Sequence, residues 1–147
     1  MLWYESLDQK IQDYLPDLTV EKDVPLQRHT SFRIGGPARR MAFPDSREQL
    51  VILLGLAQEC GVKPFILGKG TNLLVADEGL DTLVIKTEQM SAIRQLDDVT
   101  LEADAGVSLN RLAVFAQHLG LAGLEFAHGI PGSLGGAVCM NAGAYGG

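Results

Sequence analysis

Two glycine-rich runs hold the residues whose types and spacing could do chemistry. The first, Leu67-Gly-Lys-Gly-Thr-Asn-Leu-Leu-Val75, sets a glycine turn directly behind an apolar strand. It fits neither of two familiar phosphate-loop patterns. A P-loop needs G-x-x-x-x-G-K-[ST], yet Lys69 is followed by Gly70, and Lys63 stands where the first glycine belongs. A dinucleotide fingerprint, G-x-G-x-x-G opening a helix, accepts Gly68 and Gly70 but finds Leu73 in third place, ahead of a strand-like continuation. Two readings remain. One is a plain β-turn; the other is a nest of consecutive backbone N–H groups, with the Thr71 hydroxyl and Asn72 amide beside them, able to hold a diphosphate without a large positive charge.

The second run is Gly129-Ile-Pro-Gly-Ser-Leu-Gly-Gly-Ala-Val138, leading into Met140-Asn-Ala-Gly-Ala-Tyr-Gly-Gly147. Nine of the chain's 17 glycines fall between Gly120 and Gly147, more than turns alone require. With Pro131 fixing one φ angle, the run predicts a rigid backbone whose amides face a planar or anionic ligand. Ser133 and Asn141 are its candidate side-chain donors, and Ala137 and Ala142 leave room for a ring system. Acid–base candidates are few. His118 falls near the end of a helix and reads as surface, His29 belongs to a hairpin, and His128 precedes the glycine run, where it either faces a ligand or serves structure. No H-E-x-x-H, G-x-S-x-G or Cys/His pairing occurs, and no metal site is expected. Cys60 and Cys139 lie far apart and read as buried thiols.

Several elements must position these runs. Trp3, Leu7, Ile11, Tyr14 and Leu15 recur at helical spacing up to Pro16, predicting an amphipathic helix across the main domain. Residues 27–44 predict an edge hairpin around Gly-Gly-Pro. It gathers Arg28, Arg33, Arg39 and Arg40, which are either solvated or an anion-facing patch. Ser46 and Gln49 form a capping box ahead of a stripe through Leu50, Leu53, Leu54 and Ala57, with Gly61 as the stop. Strands are expected at 40–43, 64–67, 73–76, 82–87 and 99–105, the first two joined by the helix as a βαβ unit. Ser108 caps a second helix through Leu109, Leu112, Ala113 and Ala116 to Gly120.

Composition bounds the partners. Of the 147 residues, 46% are hydrophobic and 20% charged, which supports a packed core. Twelve Lys and Arg stand against 18 Asp and Glu, a net charge of −6, so the basic footprint of a nucleic-acid binder is missing. The longest apolar run, Leu50 to Leu56 around Gly55, falls far short of the roughly 20 residues of a membrane span. The N-terminus lacks the basic and apolar regions of a signal peptide, so cytoplasmic residence is expected.

Taken together, HTSFRIGGPA at 29–38, GKGTNLLV at 68–75 and GIPGSLGGAVCMNAGAYGG at 129–147 resemble the UDP-N-acetylenolpyruvoylglucosamine reductases, flavoenzymes of bacterial peptidoglycan-precursor synthesis. The resemblance covers the chain from about His29 onward. It implies an α+β fold, the FAD-binding type of vanillyl-alcohol oxidase and p-cresol methylhydroxylase, with the first subdomain (26–87) complete, the second (88–147) incomplete, residues 1–25 an N-terminal helix and linker, and the substrate domain absent. It also implies non-covalent FAD. Leu67, Gly68, Lys69, Gly70, Thr71, Asn72 and Leu73 match the loop around its diphosphate. Ile130, Pro131, Ser133, Gly136, Ala137, Gly143 and Ala144 match the segment lining the rest of the flavin. NADPH as reductant and a UDP-sugar enolpyruvyl ether as substrate are implied for the full-length enzyme. The family's catalytic arginine, serine and glutamate match no position up to 147, so no catalytic residue is assigned and this chain alone is expected to be inactive. The competing expectation is a stand-alone, non-catalytic flavin- or nucleotide-binding module.

Overall fold

The computed structural model describes residues 1–31, 33, 35–70 and 77–143. Its elements are α1 (Trp3–Tyr14), β1 (Thr19–Pro25), β2 (Pro37–Phe43), α2 (Arg47–Glu59), β3 (Phe65–Leu67), β4 (Leu80–Lys86), β5 (Ile93–Gln95), β6 (Leu101–Ala103), α3 (Leu109–His118) and α4 (Leu134–Met140). Single 3-10 turns stand at Leu26–Arg28 and Glu125–Ala127. The strand expected at 73–76 lies outside the described residues. Among the described residues, no helix is long and apolar enough to cross a membrane.

The first four strands form one sheet in the order β1-β2-β4-β3. β4 carries the most apolar run, Leu83-Val84-Ile85, and all three side chains are fully buried. A strand covered on both faces belongs inside a sheet, and β4 accordingly pairs in parallel with β2 and with β3. This corrects the simple βαβ unit. α2 still carries the chain from β2 to β3, but β4 inserts between them, so the crossover is split.

Period-two alternation along these strands divides the core. Ala42, Leu83 and Ile85 point to the face covered by Leu7 and Ile11 of α1 and by Leu53, Leu56 and Ala57 of α2. Met41 and Val84 point to the other face, with Val24, Leu26, Ala38 and Leu67. In α2 the buried stripe therefore keeps Leu53 and Ala57 but passes through Leu56, and Leu54 is exposed, so the buried face is rotated modestly from the expected one. Ser46 caps the helix through the Gln49 N–H at 3.2 Å, while the Gln49 side chain accepts from Asp45 N–H rather than from the cap residue itself. Gly61, at φ +70°, closes it as expected. The Val62 N–H reaches Ala57 O and the Gly61 N–H reaches Gln58 O, the paired bonds of a Schellman stop.

The hairpin is also relocated. Its arms are β1 and β2, in antiparallel register from Thr19↔Phe43 to Pro25↔Pro37, and residues 26–36 are the connection. β2 is interior, not an edge. That position splits the arginines. Arg39 pairs with Asp81 and Asp23. Arg40, 5% exposed, donates from Nε and Nη2 to the two Asp8 oxygens at 2.8 Å each, so α1 is clamped to the sheet and the solvated reading fails for this residue. The Asp8 carboxylate hydrogen-bonded to it raises the Arg40 pKa. Both guanidinium groups also lie within 5 Å of the Tyr4 ring centroid, at 4.9 and 4.8 Å.

Beyond Thr87 the chain forms a β5–β6 hairpin and two helices. The strand expected at 99–105 shortens to β6 because Asp97 accepts from the Val99 N–H and turns the chain there. Ser108 caps α3 through Arg111 N–H, and Leu109, Leu112, Ala113 and Ala116 are buried as expected. The glycine-rich run is not all loop. Ser133 caps α4, whose last turn is closed by Asn141 at φ +49°, so Asn141 is a helix stop with an exposed side chain rather than a donor aimed inward. Cys139 sits on this helix and is exposed, and Cys60 is half-buried, against the expectation of two buried thiols.

Candidate functional site

The three sequence segments carrying the resemblance meet at the end of β3. Leu67, buried on the sheet face away from α1 and α2, accepts from the Thr87 N–H at 3.0 Å and fixes where the chain leaves the sheet. Gly70 then takes φ +71°, and a Cβ there would collide with the His29 carbonyl oxygen. Its own carbonyl accepts from the Ser31 N–H at 3.0 Å. The segment at 29–38 is thereby laid against the Gly68-Lys69-Gly70 turn. On the other side, a Cβ on Gly68 would strike Ser133 Oγ, so the two glycine-rich runs touch closely enough that a larger residue there would force that hydroxyl to move. Thr71, Asn72, Leu73 and Ala144 lie outside the described residues.

Backbone bonds strap the second run in place. Leu109 N–H donates to Gly132 O at 3.0 Å, Leu134 N–H to Val107 O at 2.8 Å, and Gly135 N–H to Ala105 O at 2.9 Å. Ser133, 2% exposed, pairs across this strap with Ser108 and accepts from the Gly136 N–H at 3.2 Å. Ile130 and Ala137 pack on the small cluster of Leu109, Ala113 and Ala127. Pro131, Gly136 and Gly143 are exposed.

Beside the first turn lies a cleft of about 850 Å³. Among the described residues it is lined by Arg28, Arg33, Lys69 and Lys86 as cations, by one carboxylate, Glu88, and by His29 and neighbouring polar residues. The arginine set of the sequence thus divides: Arg28 and Arg33 face this cleft, while Arg39 and Arg40 are consumed by carboxylates elsewhere. No ion pair joins Arg28, Arg33 or Lys69 to a carboxylate among the described residues. Lys86 is 4% exposed, and its pKa is lowered, first by burial and further by Lys69, against a partial rise from Glu88. His29 is lowered too, by burial and by Lys86. It caps the 3-10 turn in the connection of the β1–β2 hairpin.

Lys86 and Glu88 escaped sequence reading, although a lysine closing the run Leu83-Val84-Ile85 was a visible signal. A charge at the end of a buried strand needs a reason to be there. Of the other candidates, His118 is exposed as expected. His128 is exposed and lines a separate groove of about 590 Å³ with Gln117, Leu121, Leu124 and Glu125. No group of metal-ligating side chains occurs among the described residues.

A glycine turn thus stands beside a four-cation cleft, and comparison with known proteins gives the chain a class. Residues 38–147 match the FAD binding domain, and the chain belongs to that family. More particularly, it is 44% identical to the UDP-N-acetylenolpyruvoylglucosamine reductase of Caldanaerobacter subterraneus subsp. tengcongensis, over 97% of this chain and 47% of that protein. Its identity to the reductase of the same name from Heliobacterium modesticaldum is 50%, over 84% of this chain and 39% of that protein. The crystal structure of UDP-N-acetylenolpyruvylglucosamine reductase from Thermus caldophilus superposes with a TM-score of 0.68 at 36% identity, covering 87% of this chain and 44% of the other. p-Cresol methylhydroxylase superposes at 0.58 and 14% identity, over 79% and 25% of the two chains, and so shares the fold. The chain spans about half the length of the curated relatives it matches. Its α+β fold is the FAD-binding type of vanillyl-alcohol oxidase and p-cresol methylhydroxylase.

Proposed function

We propose that this chain is the N-terminal FAD-binding part of a reductase that converts UDP-N-acetylglucosamine enolpyruvate to UDP-N-acetylmuramate in peptidoglycan-precursor synthesis. NADPH as the reductant, the UDP-sugar as substrate and cytoplasmic residence belong to the same proposal. The observation that carries it is the meeting of three distant segments, at Gly70 against His29 and at Gly68 against Ser133. Those contacts bring both glycine runs within reach of one dinucleotide.

The residues fit such a ligand. Gly68, Lys69 and Gly70, with Thr71, Asn72 and Leu73 by likeness, would hold the diphosphate, and Arg28, Arg33 and Lys86 bring positive charge to the same place. Ile130, Pro131, Ser133, Gly136 and Ala137, with Gly143 and Ala144 by likeness, would line the remainder. Hydride transfer is the chemistry a flavin supplies. The part of these residues is to bind and orient; no residue of this chain is assigned a proton or a hydride.

Attachment is non-covalent in this reading. Histidine and cysteine are the side chains that usually anchor a flavin ring, and here His128 faces the separate α3 groove while Cys139 is exposed on α4. Titration of the chain with FAD, followed by quenching of flavin fluorescence, should saturate, and acid precipitation should leave the yellow flavin in the supernatant. No saturable binding would overturn the flavin reading, and colour held in the pellet would overturn the non-covalent one.

A further inference from the structure

Among the described residues two cations are buried, and they are held in opposite ways. Arg40 meets both oxygens of Asp8 at 2.8 Å and gives a third hydrogen bond to the Arg39 carbonyl at 2.7 Å. Lys86 is as deeply buried, yet its carboxylate, Glu88, stands 3.9 Å away at the limit of an ion pair and is itself half in solvent. The other charges around Lys86 have the wrong sign to help it, since Arg28, Arg33 and Lys69 share the cleft. His29, also on the cleft, is held toward its neutral form by burial and by Lys86. An ammonium on so enclosed a side chain, paired only at the limit of an ion pair and in contact with solvent only through the cleft, loses part of its hydration and opposes folding to that extent. The fold nevertheless keeps it, at the floor of a space much larger than a single phosphate.

We propose that Lys86 is the anion-recognition residue of this cleft, a charge held inside the fold for a diphosphate ester. The inference deepens the flavin reading and rests on it only for the choice of dinucleotide. Diphosphate esters reach such a protein from two sources, a flavin dinucleotide or a uridine diphosphate sugar, and the cations recognise what both share. A ligand bringing two or more negative charges supplies the counter-charge that Glu88, at the limit of an ion pair, gives only weakly. Binding should therefore relieve a cost already present in the free protein, and removing the lysine should have opposite effects on stability and on affinity.

The test is Lys86→Met, which keeps the length and packing of the stem and removes the charge, with Lys63→Met as an exposed control. Thermal unfolding and titrations with inorganic diphosphate, FAD and UDP are measured on each. The expected result is a melting temperature higher by about 2–4 °C with affinity for inorganic diphosphate and the preferred nucleotide reduced about 10- to 100-fold, while Lys63→Met changes neither. Preference for FAD or for UDP then names the source. A lower melting temperature, or failure to fold, would make Lys86 a structural ion-pair residue and overturn the proposal. Unchanged diphosphate affinity would overturn it as well, and FAD still bound with full affinity in that variant would leave the flavin reading standing. Diphosphate bound through Lys86 without any FAD binding would keep the proposal and overturn the flavin reading instead.

Discussion

The part of the chain up to Thr87 and the part beyond it are built on different principles. The first is a sheet with a core on each face, ten buried residues under α1 and α2 and six on the opposite side. Among the described residues the second has one small buried cluster, Leu109, Ala113 and Ala127, and depends on backbone straps and on contacts with the first part, such as Gly106 lying against the Thr87 carbonyl. Burial of apolar area is the main stabilising term in a fold. The first part therefore sets global stability, and the second is ordered largely by what it leans on. The glycine runs lie along the seam between them.

The largest expected contrast follows from the cores. Leu53→Ala, amid the ten-residue cluster, should cost about 3–5 kcal/mol, and Leu109→Ala about 2 kcal/mol, read by urea denaturation. Hydrogen exchange in the second variant should accelerate between residues 105 and 143 and leave the sheet protected. Equal losses in both, or a sheet that opens in Leu109→Ala, would erase the distinction between the two parts.

A sharper probe of the first part is its clamp. Asp8→Ala strands the Arg40 guanidinium inside the sheet corner and should cost about 2–3 kcal/mol, less than a fully enclosed pair because Asp8 keeps some contact with solvent. A loss no larger than that of an exposed ion pair would mean that α1 is held by its apolar face alone.

How far these features were visible in the sequence depends on what determines them. α2, α3 and β4 were legible, because caps and apolar period are local properties of Ser46, Ser108 and Leu83-Val84-Ile85. β1 was not, since Glu21, Lys22 and Asp23 obscure any alternation in a strand with few apolar residues. α4 was missed for the opposite reason. Gly135 and Gly136 are poor helix formers, and the straps to Ala105 and Val107 hold the segment where propensity would not. The division of the arginines needed strand pairing, which no spacing reveals. A net charge of −6 likewise hides a cleft with four cations, because charge balance is an average over the whole surface.

Acid should weaken the fold from the cleft side. His29 has its pKa lowered below the usual 6.5 by burial and by Lys86, so below 6.5 the unfolded chain binds more protons at this residue than the folded one. Stability should therefore fall as pH drops through and below 6.5, and His29→Gln should flatten that slope. A slope unchanged by the substitution would remove His29 from the balance.

The smallest expected effect is at the seam itself. Ser133→Ala removes the cap on Gly136 N–H and should cost about 1 kcal/mol, seen as faster exchange in α4 with the unfolding midpoint of the sheet almost unmoved. A loss spread through the sheet would mean that the two parts are more tightly coupled than their cores indicate.

Whether the seam is one binding site is best tested by amide hydrogen exchange of the 147-residue chain, without FAD and with FAD raised to saturation. If the two glycine runs clasp a single ligand, protection should rise together at residues 68–70 and at 130–137, with the core covered by α1 and α2 unchanged. Protection confined to 68–70, or rising evenly across the whole chain, would contradict a site built across the seam.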